Sequence, residues 1–366
     1  MKPDTAPDMG KSAQGTGTAP LVSVVMPVHN AGRYLPAAID SILGQSLADI
    51  ELIAIDDGSS DGSWATVRAF AARDPRIRTA RHPENRGIVD TLNTGLELAR
   101  GNFIARMDAD DIALPERLRR QVSYMSANNI DFSGCWTRTI GNGRSRIMRF
   151  PVTDTQFKTT LLFQTPFAHP TLMMRRSLLD TGVRYRSRAR HAEEYDLAVA
   201  LATRARMGNL PEPLLLYRIH PGQVSATSRK RQLEAAADVR RAALKVLGVA
   251  ATEEEAWIHG RTRYPTAVQS IEELAAFRRW LEHLATSYRS DEAACRIVAE
   301  QWLRIAIRST GLGPAALNEF RRSWLAQQYR PSRKQWIDLT LAALVRLRYG
   351  GGLYRLLERF SVSPGF

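Results

Sequence analysis

Three apolar runs in the N-terminal third of the chain each stop on a cluster of polar residues, and this pattern constrains the fold more than any other feature. LVSVVMPV (21–28) stops at His29-Asn30-Ala31-Gly32, and IELIAI (50–55) at Asp56-Asp57-Gly58-Ser59-Ser60-Asp61-Gly62. NFIARM (102–107) stops at Asp108-Ala109-Asp110-Asp111. Short apolar runs bounded by turn residues read as strands. Between them the apolar spacing turns helical: Leu35, Ala38, Ile39, Ile42 and Leu43, then Trp64, Val67 and Phe70, with Ser60 or Asp61 expected as N-cap. A weaker strand over Ile77–Arg81 leads into His82-Pro83-Glu84-Asn85-Arg86-Gly87, after which Ile88, Leu92 and Leu96 follow at helical spacing. Strands alternating with helices imply right-handed βαβ crossovers and an α/β fold with a mainly parallel sheet.

The second half differs. From Arg229 the chain is rich in Ala, Leu and Arg and reads as amphipathic helices, among them 233–248, 271–285 and 293–309. Two more are expected over Lys334–Tyr349 and Leu353–Phe360, on either side of Gly350-Gly351-Gly352. A length of 366 residues with 44% hydrophobic content suits two domains and excludes a disordered chain. The expected division is a flexible tail over 1–20, an α/β domain over 21–228 and a basic helical domain over 229–366. The tail lacks the apolar core of a secretory signal, and no run approaches the roughly 20 apolar residues of a membrane span, so a cytoplasmic location is expected. Cys135 and Cys295 match no metal-ligand spacing and are expected as reduced, structural thiols.

The net charge of +14 invites an anionic partner. It is unevenly spread: residues 229–366 hold 23 Lys and Arg against 14 Asp and Glu. No nucleic-acid-binding motif accompanies it, so nucleic acid is not an expected partner. Trp336, Leu339, Leu341, Leu344, Val345 and Leu347 lie beside Arg346 and Arg348. Such a basic amphipathic stretch suits either packing against the rest of the protein or docking at the inner face of an anionic membrane.

Ligands of open parallel sheets bind at the carboxyl ends of the strands, where the three polar loops should converge. The first two loops suit a nucleoside. The third holds three carboxylates within four residues, which repel one another unless a divalent cation such as Mg²⁺ or Mn²⁺ is bound. The alternative is a solvated acidic loop ahead of the helix that Pro115-Glu116 begins.

VSVVMPVHN, IDDGSSDGS and ENRGIVDTLNTGLELARGNFIARMDADD together resemble the inverting family 2 glycosyltransferases of the GT-A fold. FAHPTLMMRRSLL, AEEYDLAVAL and LYRIHPGQVS resemble that family's later blocks in the same order, so the resemblance spans Leu21–Ser225. It implies that Asp57 holds the nucleotide base, with Pro27, His29 and Asn30 in the same pocket and Asn85 and Arg86 near base and ribose. Asp108 and Ala109 would lie along the nucleotide-sugar. Asp110 would be the direct ligand of Mn²⁺ or Mg²⁺, joined by Asp108 and His220. His169 would sit on the acceptor side.

The resemblance also places the general base in Glu193-Glu194-Tyr195-Asp196. Glu194 occupies the position where the family usually has aspartate, with Glu193 and Asp196 as the other candidates. The extra methylene moves the carboxylate by about 1 Å, enough to affect positioned catalysis. The implied activity is transfer of a sugar from a nucleotide-sugar, expected to be a UDP-sugar, to a hydroxyl of a glycan or lipid-linked acceptor in surface polysaccharide synthesis. A nucleotidyltransferase would need a phosphate loop that MPVHNAGRYL does not supply. A non-catalytic nucleotide- or glycan-binding relative would be expected to lack Asp108 and Asp110.

Overall fold

The computed structural model describes residues 8–9, 19–142, 144–222, 229–263, 268–328 and 331–347. Most of the tail expected over 1–20 and the whole helix expected over Leu353–Phe360 lie outside these. The chain forms two units, one of residues 1–157 and 165–232, the other of 158–164 and 233–366.

The first unit is built on one ten-stranded sheet, ordered β1-β4-β3-β2-β5-β9-β7-β10-β6 with β8 beside β7. The strands are β1 (Asp8–Met9), β2 (Val22–Val28), β3 (Ile50–Asp57), β4 (Ile77–His82), β5 (Phe103–Arg106), β6 (Ile112–Ala113), β7 (Phe132–Gly141), β8 (Ile147–Met148), β9 (Met173–Arg175) and β10 (Met207–Ile219). The long ladders β2·β3, β2·β5, β3·β4 and β7·β10 are parallel. The antiparallel ones pair only two or three residues each.

Every residue of β3 is buried, as a central strand covered on both faces requires. That includes Glu51, whose carboxylate accepts from Ser23 Oγ at 2.6 Å and from Arg78 and Arg100. Helix α1 (Leu35–Leu43) turns Leu35, Ala38, Ile39 and Ile42 to the core at the spacing of one helical face. Helix α3 (Ile88–Leu98) comes so close to the sheet that a Cβ on Gly95 would stand 2.3 Å from Val25 Cγ1. Helix α2 spans Ser63–Ala71 with Gly62 as its N-cap, one residue after Asp61 and two after Ser60, the expected caps. Asp61 still serves that terminus, accepting from the backbone N–H and hydroxyl of Ser63. Helix α4 is Arg117–Ala127, α5 is Asp154–Leu161 and α6 is Glu193–Leu201.

The second unit is helical: α7 (Arg229–Val246), α8 (Glu253–Arg261), α9 (Ile271–Thr286), α10 (Glu292–Arg308), α11 (Pro314–Arg322), α12 (Leu325–Gln328) and α13 (Arg333–Leu344). Among its described residues, Trp280, Trp302, Arg240, Phe163, Phe277 and Phe320 are the largest fully buried side chains. His259 is buried among them, accepting at Nδ1 from Trp280 Nε1 and donating from Nε2 to the Leu162 carbonyl. Burial lowers its pKa to about 3, so it remains neutral. Along α13 and just beyond it the expected stripe divides: Leu339 and Leu347 are buried, whereas Leu341, Leu344 and Val345 are each more than half exposed, as is Ile337 outside the stripe. Among the described residues, no helix is long and apolar enough to cross a membrane.

Candidate active site

The first part of the site is a braced loop at the ends of β3 and β4. Beyond Asp57 the backbone turns at Gly58 with φ +66°, and a Cβ there would lie 2.6 Å from the Glu84 carbonyl carbon. Glycine therefore lets the two loops touch. Asp57 Oδ1 accepts from the Arg86 N–H and from His82 Nδ1, and Oδ2 from the Gly87 N–H, all at 2.9 Å. Burial alone would raise the Asp57 carboxyl, but the bonds from His82, Arg86 and Gly87 outweigh it and hold the pKa below the usual range. Asp57 thus fixes the loop Asn85-Arg86-Gly87, and both its oxygens are engaged within the protein.

His29 bridges the same loops. Its Nδ1 donates to the Asp57 carbonyl at 2.8 Å, so its Nε2 accepts from the side-chain amides of Asn85 and Asn30. Asn30 has φ 48° and accepts from the Ser60 N–H. Pro27 is half-buried in β2. Hydrogen bonds therefore bring His29, Asn30, Asp57, Asn85 and Arg86 together, joined by His82, which sequence spacing did not single out, whereas Pro27 is placed only in β2, paired with Ile55.

The second part lies at the end of β5. The carboxylates of Asp108, Asp110 and Asp111 approach within 4.8 Å of one another. At about 4 Å a like-charged pair costs on the order of 4 kcal/mol at an effective dielectric of 20, which Arg106 and Arg117 offset in part. Asp108 pairs with Arg106 at 2.6 Å and Asp110 with His220 Nε2 at 2.9 Å. Asp111 Oδ1 accepts from the Arg218 N–H, and its buried Oδ2 has no hydrogen-bond partner. Burial, then Asp108 and Asp110, push the Asp111 carboxyl well up; burial also raises Asp108. Crowded carboxylates and an orphaned oxygen beside a histidine fit a divalent cation with oxygen and imidazole ligands. Ala109 is buried in the core between the first two acids. Tyr34 packs under His220, ring centroids 5.0 Å apart, and Arg218 lies 4.6 Å over the Tyr34 ring.

The third part is the first turn of α6 and the short 3₁₀ turn His169–Thr171. His169, Glu193 and Glu194 bring ligand-type atoms within 4.8 Å of one another, with His169 Nδ1 3.7 Å from Glu194 Oε2. Burial, followed by repulsion from Glu193, raises the Glu194 pKa to about 7. Glu193 Oε2 is buried without a hydrogen-bond partner. Asp196 is not part of this cluster: both its oxygens are bound by Arg186. Two residues along a helix turn a side chain about 200°, so Asp196 and Glu194 face different surroundings. His169, expected on the acceptor side, stands beside Glu194.

Arg106 joins the second and third parts. It is buried, pairs with Asp108, and remains charged because the Asp108 carboxylate offsets its burial. Its Nε and Nη1 have no hydrogen-bond partner. The sequence held a signal for it, an arginine inside the apolar run NFIARM.

Residues 23–182 match the family described as "Glycosyl transferase family 2". The chain is 33% identical over 206 residues to the O-antigen biosynthesis glycosyltransferase WbnJ of Escherichia coli, covering 55% of this chain and 80% of that protein. Residues 1–349 of S. aureus TarS, crystallised with UDP-GlcNAc, superpose with a TM-score of 0.56 at 19% identity, covering 84% of this chain and 91% of that one. The mannosyltransferase PcManGT of Pyrobaculum calidifontis, crystallised with GDP-Man and Mn²⁺, gives a TM-score of 0.51 at 21% identity over 94% of this chain and 90% of that one. The fold is that of the GT-A glycosyltransferases. The chain belongs to glycosyltransferase family 2.

Proposed function

We propose that the protein is an inverting, metal-dependent glycosyltransferase that moves a sugar from a nucleotide-sugar to an acceptor hydroxyl, with Glu194 as general base. The observation that carries this is the pairing of two unlike acidic groups across Arg106. One is the self-repelling cluster Asp108, Asp110 and Asp111, and the other is a mostly buried glutamate with a pKa of about 7. A base with a pKa near the working pH is both available and strong enough to take a hydroxyl proton.

In this scheme the nucleoside lies along the edge that Asp57 braces, against Pro27, His29, Asn30, Asn85 and Arg86. Asp108, Asp110 and His220 would hold Mn²⁺ or Mg²⁺, which would offset charge on the departing diphosphate. Glu194 accepts the acceptor's proton as its oxygen attacks the anomeric carbon, while the bond from that carbon to the diphosphate oxygen breaks on the opposite face. Burial, then Glu193 close by, keeps the Glu194 pKa high, and Arg106 limits the rise.

A UDP-sugar donor and a glycan or lipid-linked acceptor in surface polysaccharide synthesis are the proposed substrates, supported by the likeness to WbnJ and by the donor bound in TarS. Placement at the inner face of an anionic membrane is supported by the exposed face Ile337, Leu341, Leu344 and Val345 beside exposed Arg333, Lys334 and Arg346.

The test is nucleoside diphosphate release from UDP-glucose, UDP-GlcNAc, UDP-galactose and GDP-mannose, with Mn²⁺ or with EDTA. Release from at least one donor that requires Mn²⁺, and that Asp110→Ala abolishes without loss of the circular dichroism of the fold, is the expected result. Release that EDTA leaves intact contradicts the proposal.

A further inference from the structure

The base candidate has a partner that the activity itself does not explain. We infer that His169 is a positioning residue that points its Nδ1–H at Glu194 across 3.7 Å, and that Tyr185 fixes the tautomer that places the proton on that side. This rests on Glu194 being the base.

His169 Nδ1 lies 3.7 Å from Glu194 Oε2, while its Nε2 lies 3.2 Å from the Tyr185 hydroxyl. The imidazole is therefore set between a carboxylate and a phenol, one at each nitrogen. Burial, with the Arg106 charge adding to it, drives the His169 pKa well below the usual value. A neutral ring carries a single N–H, which must point to one side or the other.

Tyr185 decides which. It is 5% exposed, and burial pushes its phenol well up, so it keeps its proton. Among the described residues, His169 Nε2 is the partner its hydroxyl has. A buried O–H left without an acceptor is costly, so the hydroxyl donates to Nε2. The histidine proton must then sit on Nδ1, facing Glu194. The opposite tautomer would strand the tyrosine proton and present a lone pair to a carboxylate.

Both residues are held for this purpose. Asn93 on α3 brackets the Tyr185 backbone, accepting from its N–H at 3.0 Å and donating to its carbonyl at 2.9 Å. The turn at His169 is closed by Thr171, whose N–H and hydroxyl both donate to the Ala168 carbonyl. The consequence for chemistry is direct. Glu193 and burial favour the protonated form of Glu194, which is useless as a base. An N–H aimed at Glu194 favours its ionised form and orients it, in the manner of a third residue that orients a catalytic base.

The tautomer is read without turnover, by ¹⁵N NMR of the ¹⁵N-histidine-labelled full chain, with the His169 signals assigned by their loss in His169→Asn. The expected result is a proton on Nδ1 and a bare Nε2 in the wild type, and loss of that single tautomer in Tyr185→Phe. A proton on Nε2 in the wild type overturns the inference. Kinetics supply the second readout, with Mn²⁺ and whichever panel donor is turned over. The asparagine amide can stand where Nδ1–H stands, so His169→Asn should keep kcat within about tenfold of wild type, while His169→Leu loses about a hundredfold in kcat with donor KM little changed. Equal kcat in the two variants overturns the inference as well. An active Glu194→Gln would instead remove the base assignment and leave the tautomer result standing, so the two failures are distinguishable.

Discussion

The two carboxylate groups at the edge of this sheet are built on opposite principles. At Asp57 both oxygens have donors, from His82 and from the Arg86 and Gly87 N–H groups, and the pKa falls. At Asp108, Asp110, Asp111, Glu193 and Glu194 the carboxylates crowd one another, two buried oxygens lack donors, and several pKa values rise. A satisfied carboxylate is scaffold, since its free energy is already committed to holding a loop. Unsatisfied ones are stabilised only when something else arrives, which is what a site for a cation and a proton requires. The difference separates residues that shape the site from residues that act in it.

Substitutions on the two sides should therefore fail differently. The largest effect is expected from Glu194→Gln, which keeps shape but cannot take a proton: turnover should fall by about 10³-fold with thermal stability unchanged or improved, because a buried charge is removed. Asp57→Asn should do the reverse. It turns an amide N–H₂ toward N–H donors, so stability should fall by about 1–3 kcal/mol in urea unfolding, with a raised donor KM and a smaller change in kcat. The same bonds give a pH dependence of known sign. Because the folded Asp57 pKa is depressed, its contribution is present above its unfolded value of about 3.9 and is lost as pH falls through the folded value. If Asp57→Asn instead removed turnover and spared stability, the division between the two regions would collapse. The smallest effect concerns placement. Leu341→Glu with Leu344→Glu should weaken sedimentation with phosphatidylglycerol-containing vesicles at low salt by about tenfold, leaving donor turnover in solution intact.

Much of the first unit was legible because its strands are uninterrupted apolar runs and its helices keep a clear spacing. β7 and β10 were not. β10 contains Pro211 and Pro213, and its ladder with β7 shifts register on both sides of Pro213, so no simple alternation survives. The helix after Asp61 starts late because Asp61 closes a turn onto Ser63 instead of opening the helix itself. Among site residues, the strand-end loops were legible as clusters of polar residues after apolar runs. His82 and Tyr185 were not, because each acts through a contact with a residue distant in sequence, and Arg106 was marked only as a charge inside an apolar run. Asp196 looked equivalent to Glu194 in the string EEYD, and only the helical turn that hands it to Arg186 separates the two. Along α13 and the residues after it the apolar spacing reads as one stripe, while packing buries Leu339 and Leu347 and leaves Leu341, Leu344 and Val345 outside.

The most direct test of the central claim is the pH dependence of kcat at saturating Mn²⁺ and donor. Glu194 must be ionised to act, so kcat should rise about tenfold per pH unit at acid pH and level off near pH 7, the value to which burial and Glu193 raise this carboxyl. A profile flat from pH 5.5 to 8, or an acid limb persisting unchanged in Glu194→Gln, would contradict it.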